Sequence, residues 1–88
     1  MARTRKITRV KSLDELKQIC DGKMRDFFIQ LNFGIRSTKA ISYDRSTDKF
    51  YIVNIIDDSE QELSSKEIMD ENNSHIGKAI ELGAFYQY

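Results

Sequence analysis

Phe27, Ile29, Leu31 and Phe33 recur at every second position of residues 26–33, with Phe28, Gln30 and Asn32 between them. A period of two is the side-chain period of a β-strand. The chain must therefore build a sheet with an apolar face that needs covering. Residues 50–56 are apolar on both sides, with Phe50, Ile52 and Ile56 on one and Tyr51, Val53 and Ile55 on the other. Burial on both faces predicts a central strand there. Residues 39–43 supply another strand, with Ile41 and Tyr43 on one side, and Asp44–Lys49 form a polar turn. Connections this short join antiparallel neighbours.

Weaker strand signals flank this centre. Lys6-Ile-Thr-Arg-Val10 predicts a short strand at a sheet edge, and residues 60–63 predict a brief fourth strand after the run 50–56. Residues 84–88 (Ala-Phe-Tyr-Gln-Tyr) predict a last strand, whose aromatic side chains need cover from the chain's own sheet or from a partner.

Helix signals are local and specific. Ser12-x-x-Glu15 and Ser64-x-x-Glu67 are capping boxes, in which hydroxyl and carboxylate satisfy orphan backbone N–H groups. The first opens a helix whose stripe is Leu13, Leu16, Ile19 and Cys20, ended by Asp21-Gly22. The second opens a short helix over Ile68 and Met69. Ser74 is expected to cap a third, carrying Ile76, Ala79, Ile80 and Leu82 and stopping at Gly83. Gly77 inside it costs up to about 1 kcal/mol relative to Ala, which suggests close approach of another backbone. The expected order is β-α-β-β-β-(β)-α-α-β. This is an α+β fold, a small, mostly antiparallel sheet with helices packed on one face. Residues 1–88 are expected to form a single domain, with residues 1–5 a flexible basic arm.

Composition limits the chemistry. There is one histidine, His75, and one cysteine, Cys20. Side-chain catalysis draws mostly on His, Cys or a tuned carboxylate pair, so an enzyme is not expected. His75 has no Cys or acid at ligand spacing, and Cys20 sits on an apolar stripe as a small hydrophobe. No cofactor or metal is expected. Asp44-x-Ser46-x-Asp48 begins like a calcium loop, but Lys49 and Ile55 stand where its glycine and closing glutamate belong. A lone cysteine excludes an internal disulfide framework and points to a reducing, cytoplasmic setting. No apolar run approaches the ~20 residues that span a bilayer, and residues 1–11 do not read as a secretion signal.

The net charge is zero, but it is unevenly spread. Arg3, Arg5, Lys6, Arg9 and Lys11 crowd the beginning without an acid among them, and residues 57–88 are strongly acidic. Four surfaces follow. The run Asp57-Asp58-Ser-Glu60-Gln-Glu62, with Arg36 and Lys39 near it, suits a protein partner whose encounter it steers. The basic segment suits nucleic-acid phosphates, with Phe28 or Tyr51 stacking on bases, although the chain is not basic overall. Gly34-Ile-Arg36-Ser37-Thr38-Lys39, expected as a loop between two strands, offers backbone N–H groups, hydroxyls and cations to an anion. It lacks the spacing of a phosphate-binding loop. Tyr86 and Tyr88 on a free edge strand would instead pair two copies by strand addition. Of these, the protein partner is preferred, nucleic acid is the alternative, and a small anion-binding domain or enzyme at Gly34–Lys39 is the second alternative.

The stretch Leu31-Asn-Phe-Gly34-Ile-Arg36-Ser37-Thr38-Lys39-x-Ile41-x-Tyr43-Asp44, then Phe50-Tyr-x-x-Asn54-x-Ile56-Asp57 and Ile76-Gly77-Lys78-Ala79-Ile80-x-x-Gly83-Ala84-x-Tyr86, resembles small uncharacterised proteins of bacterial plasmids, integrative elements and prophages. That group carries no assigned activity. The resemblance implies an accessory protein that works by binding, and it assigns no residue a role.

Overall fold

The computed structural model describes residues 7–31 and 35–88. The expected arm at residues 1–5, with Arg3, Arg5 and the adjacent Lys6, lies outside the described residues, as do Asn32, Phe33 and Gly34. The chain runs β1 (Thr8–Arg9), α1 (Leu13–Cys20), β2 (Arg25–Leu31), β3 (Ile35–Asp44), β4 (Lys49–Asn54), β5 (Glu60–Ser64), α2 (Ser65–Ile68), α3 (Ile76–Leu82) and β6 (Phe85–Gln87). The strands form one six-stranded sheet in the order β1-β6-β2-β3-β4-β5, antiparallel at every pairing. The α+β class and its mostly antiparallel sheet are as the sequence predicts.

Alternation divides the sheet. Phe27, Ile29, Ile41, Tyr43, Phe50, Ile52, Leu63 and Phe85 share one face and one core. Leu16 and Cys20 of α1, Ile68 of α2, and Ile76, Ala79 and Ile80 of α3 close over them. Phe27 and Phe85 stack with centroids 5.1 Å apart and planes 4° from parallel.

Caps hold the helices where the sequence places them, with one exchange of roles. Ser12 Oγ accepts the Glu15 N–H, while the Glu15 carboxylate accepts from Lys11 N–H, one residue before the reciprocal position. At α2 the box is complete: Ser64 Oγ accepts from Glu67 N–H, and Glu67 Oε1 accepts from Ser64 N–H. At α3 the cap position belongs to His75, not Ser74. Ser74 still serves the helix, since its buried hydroxyl accepts from Ile76 N–H and donates to the Ile68 carbonyl. It thereby ties α2 to α3. Gly77 is the close approach its cost implies: a Cβ there would lie 2.7 Å from Met69 Cα.

The turn after β3 is bound to the helices. Asp48, at φ 54°, accepts from the Tyr43 hydroxyl at 2.6 Å and from the Ser65 hydroxyl, and Lys17 of α1 sits 3.6 Å from it. Asp44 accepts from the Ser46 N–H and hydroxyl. These acids fold a hairpin turn, in agreement with the missing calcium-loop residues.

Three expectations are corrected. β4 is not covered on two faces: Tyr51 is 39% exposed, because all helices lie on the side of Phe50 and Ile52. The anion loop is not a loop beyond Gly34. Arg36, Ser37, Thr38 and Lys39 belong to β3, paired with Gln30, Ile29, Phe28 and Phe27 in turn, so their backbone serves the sheet ladder. Tyr86 and Tyr88 are not on a free edge. β6 lies between β1 and β2, with Tyr86 opposite Arg9 on one side and Phe28 on the other, and Tyr88 N–H donates to the Asp26 carbonyl.

Candidate binding face

The face that carries no helix can be built row by row from the register. Ser42, Tyr51 and Glu62 are cross-strand neighbours along one row, and Asp26, Ala40, Val53 and Glu60 along the next. Residues directly opposite in an antiparallel pair point to the same side. Met24, just before β2, has the parity of Asp26 and Phe28 and is 54% exposed. Met24, Tyr51, Val53, Glu60 and Glu62 line a shallow open depression of about 300 Å³. An apolar floor thus ends against two carboxylates of the edge strand β5.

The other end of the same face is closed. Phe28 is only 3% exposed, since Tyr86 stacks on it at 5.1 Å and Tyr88 tilts against it at 4.8 Å. Phe28 is therefore unavailable to stack on bases, against the sequence-based expectation. The tyrosines cover a residue of their own sheet, which answers the need for cover raised by residues 84–88.

The acidic run divides between a turn and a strand. Asp57 and Asp58 sit in the β4–β5 turn, where Asp57 Oδ1 accepts the Ser59 N–H at 2.9 Å and Asp58 takes a positive φ of 58°. The hydrogen bonds from the Ser59 side chain and backbone, helped by the charge of Lys39, hold the Asp57 carboxyl below its ordinary range. Lys39 pairs with Asn54 next to this turn, and its pairing with Phe27 sets it on the helix side of the sheet. Arg36 shares its strand, but its side chain lies outside the described part. Glu60 and Glu62 lie in β5, exposed beside Val53 and Tyr51. Ile56, in the same turn, is 75% exposed.

The basic residues that are described go elsewhere. Arg9 and Lys11 line a hollow with Glu81, Leu82 and Gly83 at the end of α3. The Arg9 guanidinium lies so close to Gly83 that a Cβ there would meet Nη1 at 3.4 Å. A cation at a helix C-terminus complements the partial negative charge of that end. Arg9 therefore has a structural place beside the C-terminal end of α3, with Glu81 in the same hollow. Arg3, Arg5 and Lys6 fall outside the described residues.

Neither rare nucleophile nor metal cluster occupies the face. Cys20, the last residue of α1, is buried, and burial pushes its thiol up to about 12, with the charge of Arg25 opposing. It packs as the small hydrophobe its stripe implies. Among the described residues no group of three His, Cys, Asp or Glu side chains could hold a metal ion. No described helix is long and apolar enough to cross a membrane.

The sequence named Tyr51, Val53, Glu60 and Glu62; it put the first two on a strand covered on both faces, while also offering Tyr51 as an exposed ring for stacking. It missed Met24. The available signal was parity: extending the alternation of Asp26 and Phe28 backwards by two residues reaches Met24. Comparison with known proteins found no matching family model, no matching curated protein and no matching solved structure.

Proposed function

We propose that this protein is a non-catalytic module that binds another protein on the uncovered face of its sheet. The observation that carries the reading is the strip of Met24, Tyr51 and Val53, exposed or half-exposed in a shallow depression and bounded by Glu60 and Glu62. Apolar surface bounded by charge is the composition of a recognition patch, with burial supplying affinity and charge supplying register and on-rate. Asp57 and Asp58, in the turn before β5, extend the negative field. We assign it, on its one buried thiol, to the cytoplasm. On the pattern shared with proteins of plasmids and prophages, we read it as an accessory of a bacterial mobile element.

The test is capture from nuclease-treated bacterial lysate by the tagged protein, beside a variant with Asp57, Asp58, Glu60 and Glu62 changed to Lys. A discrete protein retained by the parent and lost by the variant is the expected outcome. Capture with unchanged salt dependence in the variant would overturn the acidic side of the reading. Recovery that disappears with nuclease would transfer the function to nucleic acid and to Arg3, Arg5, Lys6, Arg9 and Lys11.

A further inference from the structure

The two ends of the sheet are unequal. β1, at one end, is two residues long, whereas β5, at the other, runs from Glu60 to Ser64 with no strand beyond it among the described residues. The register shows which backbone groups of β5 face outward. Asn54 N–H donates to the Ser59 carbonyl at 2.9 Å. Hydrogen-bonded and non-bonded pairs alternate in an antiparallel ladder. Pairs Ile52–Gln61 and Phe50–Leu63 are then the bonded ones, in phase with Asn54–Ser59. Glu60 and Glu62 fall at the alternate positions, so their N–H and C=O groups turn away from β4. Ser64 N–H is already taken by the Glu67 carboxylate. The outward edge is therefore a ladder of Glu60 and Glu62 alone, and the same residues place their carboxylates on the open face.

We infer that β5 receives an extended segment of a partner protein with cationic side chains at every second residue, added as a seventh strand. This rests on the protein-binding reading and names the partner's chemistry. Main-chain bonds from such a segment go to Glu60 and Glu62. Its residues directly opposite them lie on the same face, so cations at positions i and i+2 each meet one carboxylate. The stems of those cations then continue the apolar row over Tyr51 and Val53. A second copy of β5 is the wrong occupant. Antiparallel pairing of two such edges would set glutamate opposite glutamate, and like charges directly opposite are destabilising. The same feature keeps the edge from self-assembly.

The probe is a heptapeptide with arginine at every second position and valine or threonine between, compared with a scrambled peptide in which the arginines are consecutive. Each is titrated into the isotope-labelled full chain, and amide hydrogen exchange is followed residue by residue. The alternating peptide is expected to bind at least about tenfold more tightly than the scrambled one, one power of ten being about 1.4 kcal/mol. It is also expected to slow exchange of the Glu60 and Glu62 amides specifically. Glu60→Gln with Glu62→Gln, which keeps shape and backbone, is expected to remove the preference. Equal binding of the two peptides, or no slowing at Glu60 and Glu62, overturns the inference. Slowing of these amides by self-association without peptide overturns it in favour of a second copy. Failure here with persisting Tyr51-dependent capture of a protein would leave the binding face intact and remove only strand addition; loss of that capture as well would remove both.

Discussion

Phe50 and Tyr51 are adjacent in β4, yet Phe50 is fully buried under the helices and Tyr51 is 39% exposed on the other side of the sheet. The same contrast runs through the whole sheet. One face carries Phe27, Ile29, Ile41, Phe50, Leu63 and Phe85 and is sealed by three helices. The opposite face seals only one end, with Tyr86 and Tyr88 over Phe28, and leaves Met24, Tyr51 and Val53 uncovered beside acidic β5. A two-layer fold needs only one apolar face for its core. Apolar residues kept on the second are surplus to folding, and that surplus is the physical ground for assigning them to binding.

The contrast can be broken most forcefully from its buried side. Phe50→Ala should destabilise the fold by about 3–5 kcal/mol, the range for deleting a buried aromatic ring, and urea unfolding measures it. Gly77→Ala comes next. Alanine ordinarily favours a helix, but here the added methyl meets the Met69 backbone at 2.7 Å, and a loss of about 1–3 kcal/mol is expected on the same measurement. Ser74→Ala removes the acceptor of the Ile76 N–H and the hydroxyl donor to the Ile68 carbonyl, and should cost about 1 kcal/mol, read as a lower thermal midpoint.

The smallest effect is one of pH. The hydroxyls of Ser65 and Tyr43 hold the Asp48 carboxyl below its ordinary range, and hydrogen bonds with the Ser64 backbone and side chain do the same for Glu67. A lowered folded pKa gives stability that is present above the ordinary carboxylate range, about pH 4. That stability is lost as pH falls through the lowered values. The thermal midpoint should drop on acidification below about pH 4. Asp48→Asn should make that drop shallower, as should Glu67→Gln, in thermal scans across pH.

Most of the fold was legible because its signals are local. Alternation in residues 26–31 and 50–54 marks β2 and β4, and the serine–glutamate spacings mark the starts of α1 and α2. What local pattern could not carry was strand order. The aromatic tail 84–88 reads the same whether it ends a sheet or enters it, and only the crossing back beside β2 turns Tyr86 and Tyr88 from edge residues into the lid over Phe28. The extent of β3 was hidden for a similar reason. Ser37 and Thr38 are polar and read as a loop before the strand expected from residue 39, yet pairing with β2 makes them strand. The site was legible in its charges and not in its floor. Tyr51 and Val53 gave the pattern of a doubly covered strand, and no sequence period reports which of two apolar faces the helices will choose.

The sharpest comparison of the two faces changes only the open one. Tyr51→Ser, Glu60→Lys and Glu62→Lys are combined in one chain, and urea unfolding is run in parallel with protein capture from nuclease-treated lysate. The expected result is an unfolding free energy within about 0.5 kcal/mol per substitution of the parent, together with loss of the captured protein. A variant that keeps its partner while folding normally would contradict the assignment of the open face to binding. A variant that unfolds as readily as Phe50→Ala would contradict the claim that this face is surplus to the fold.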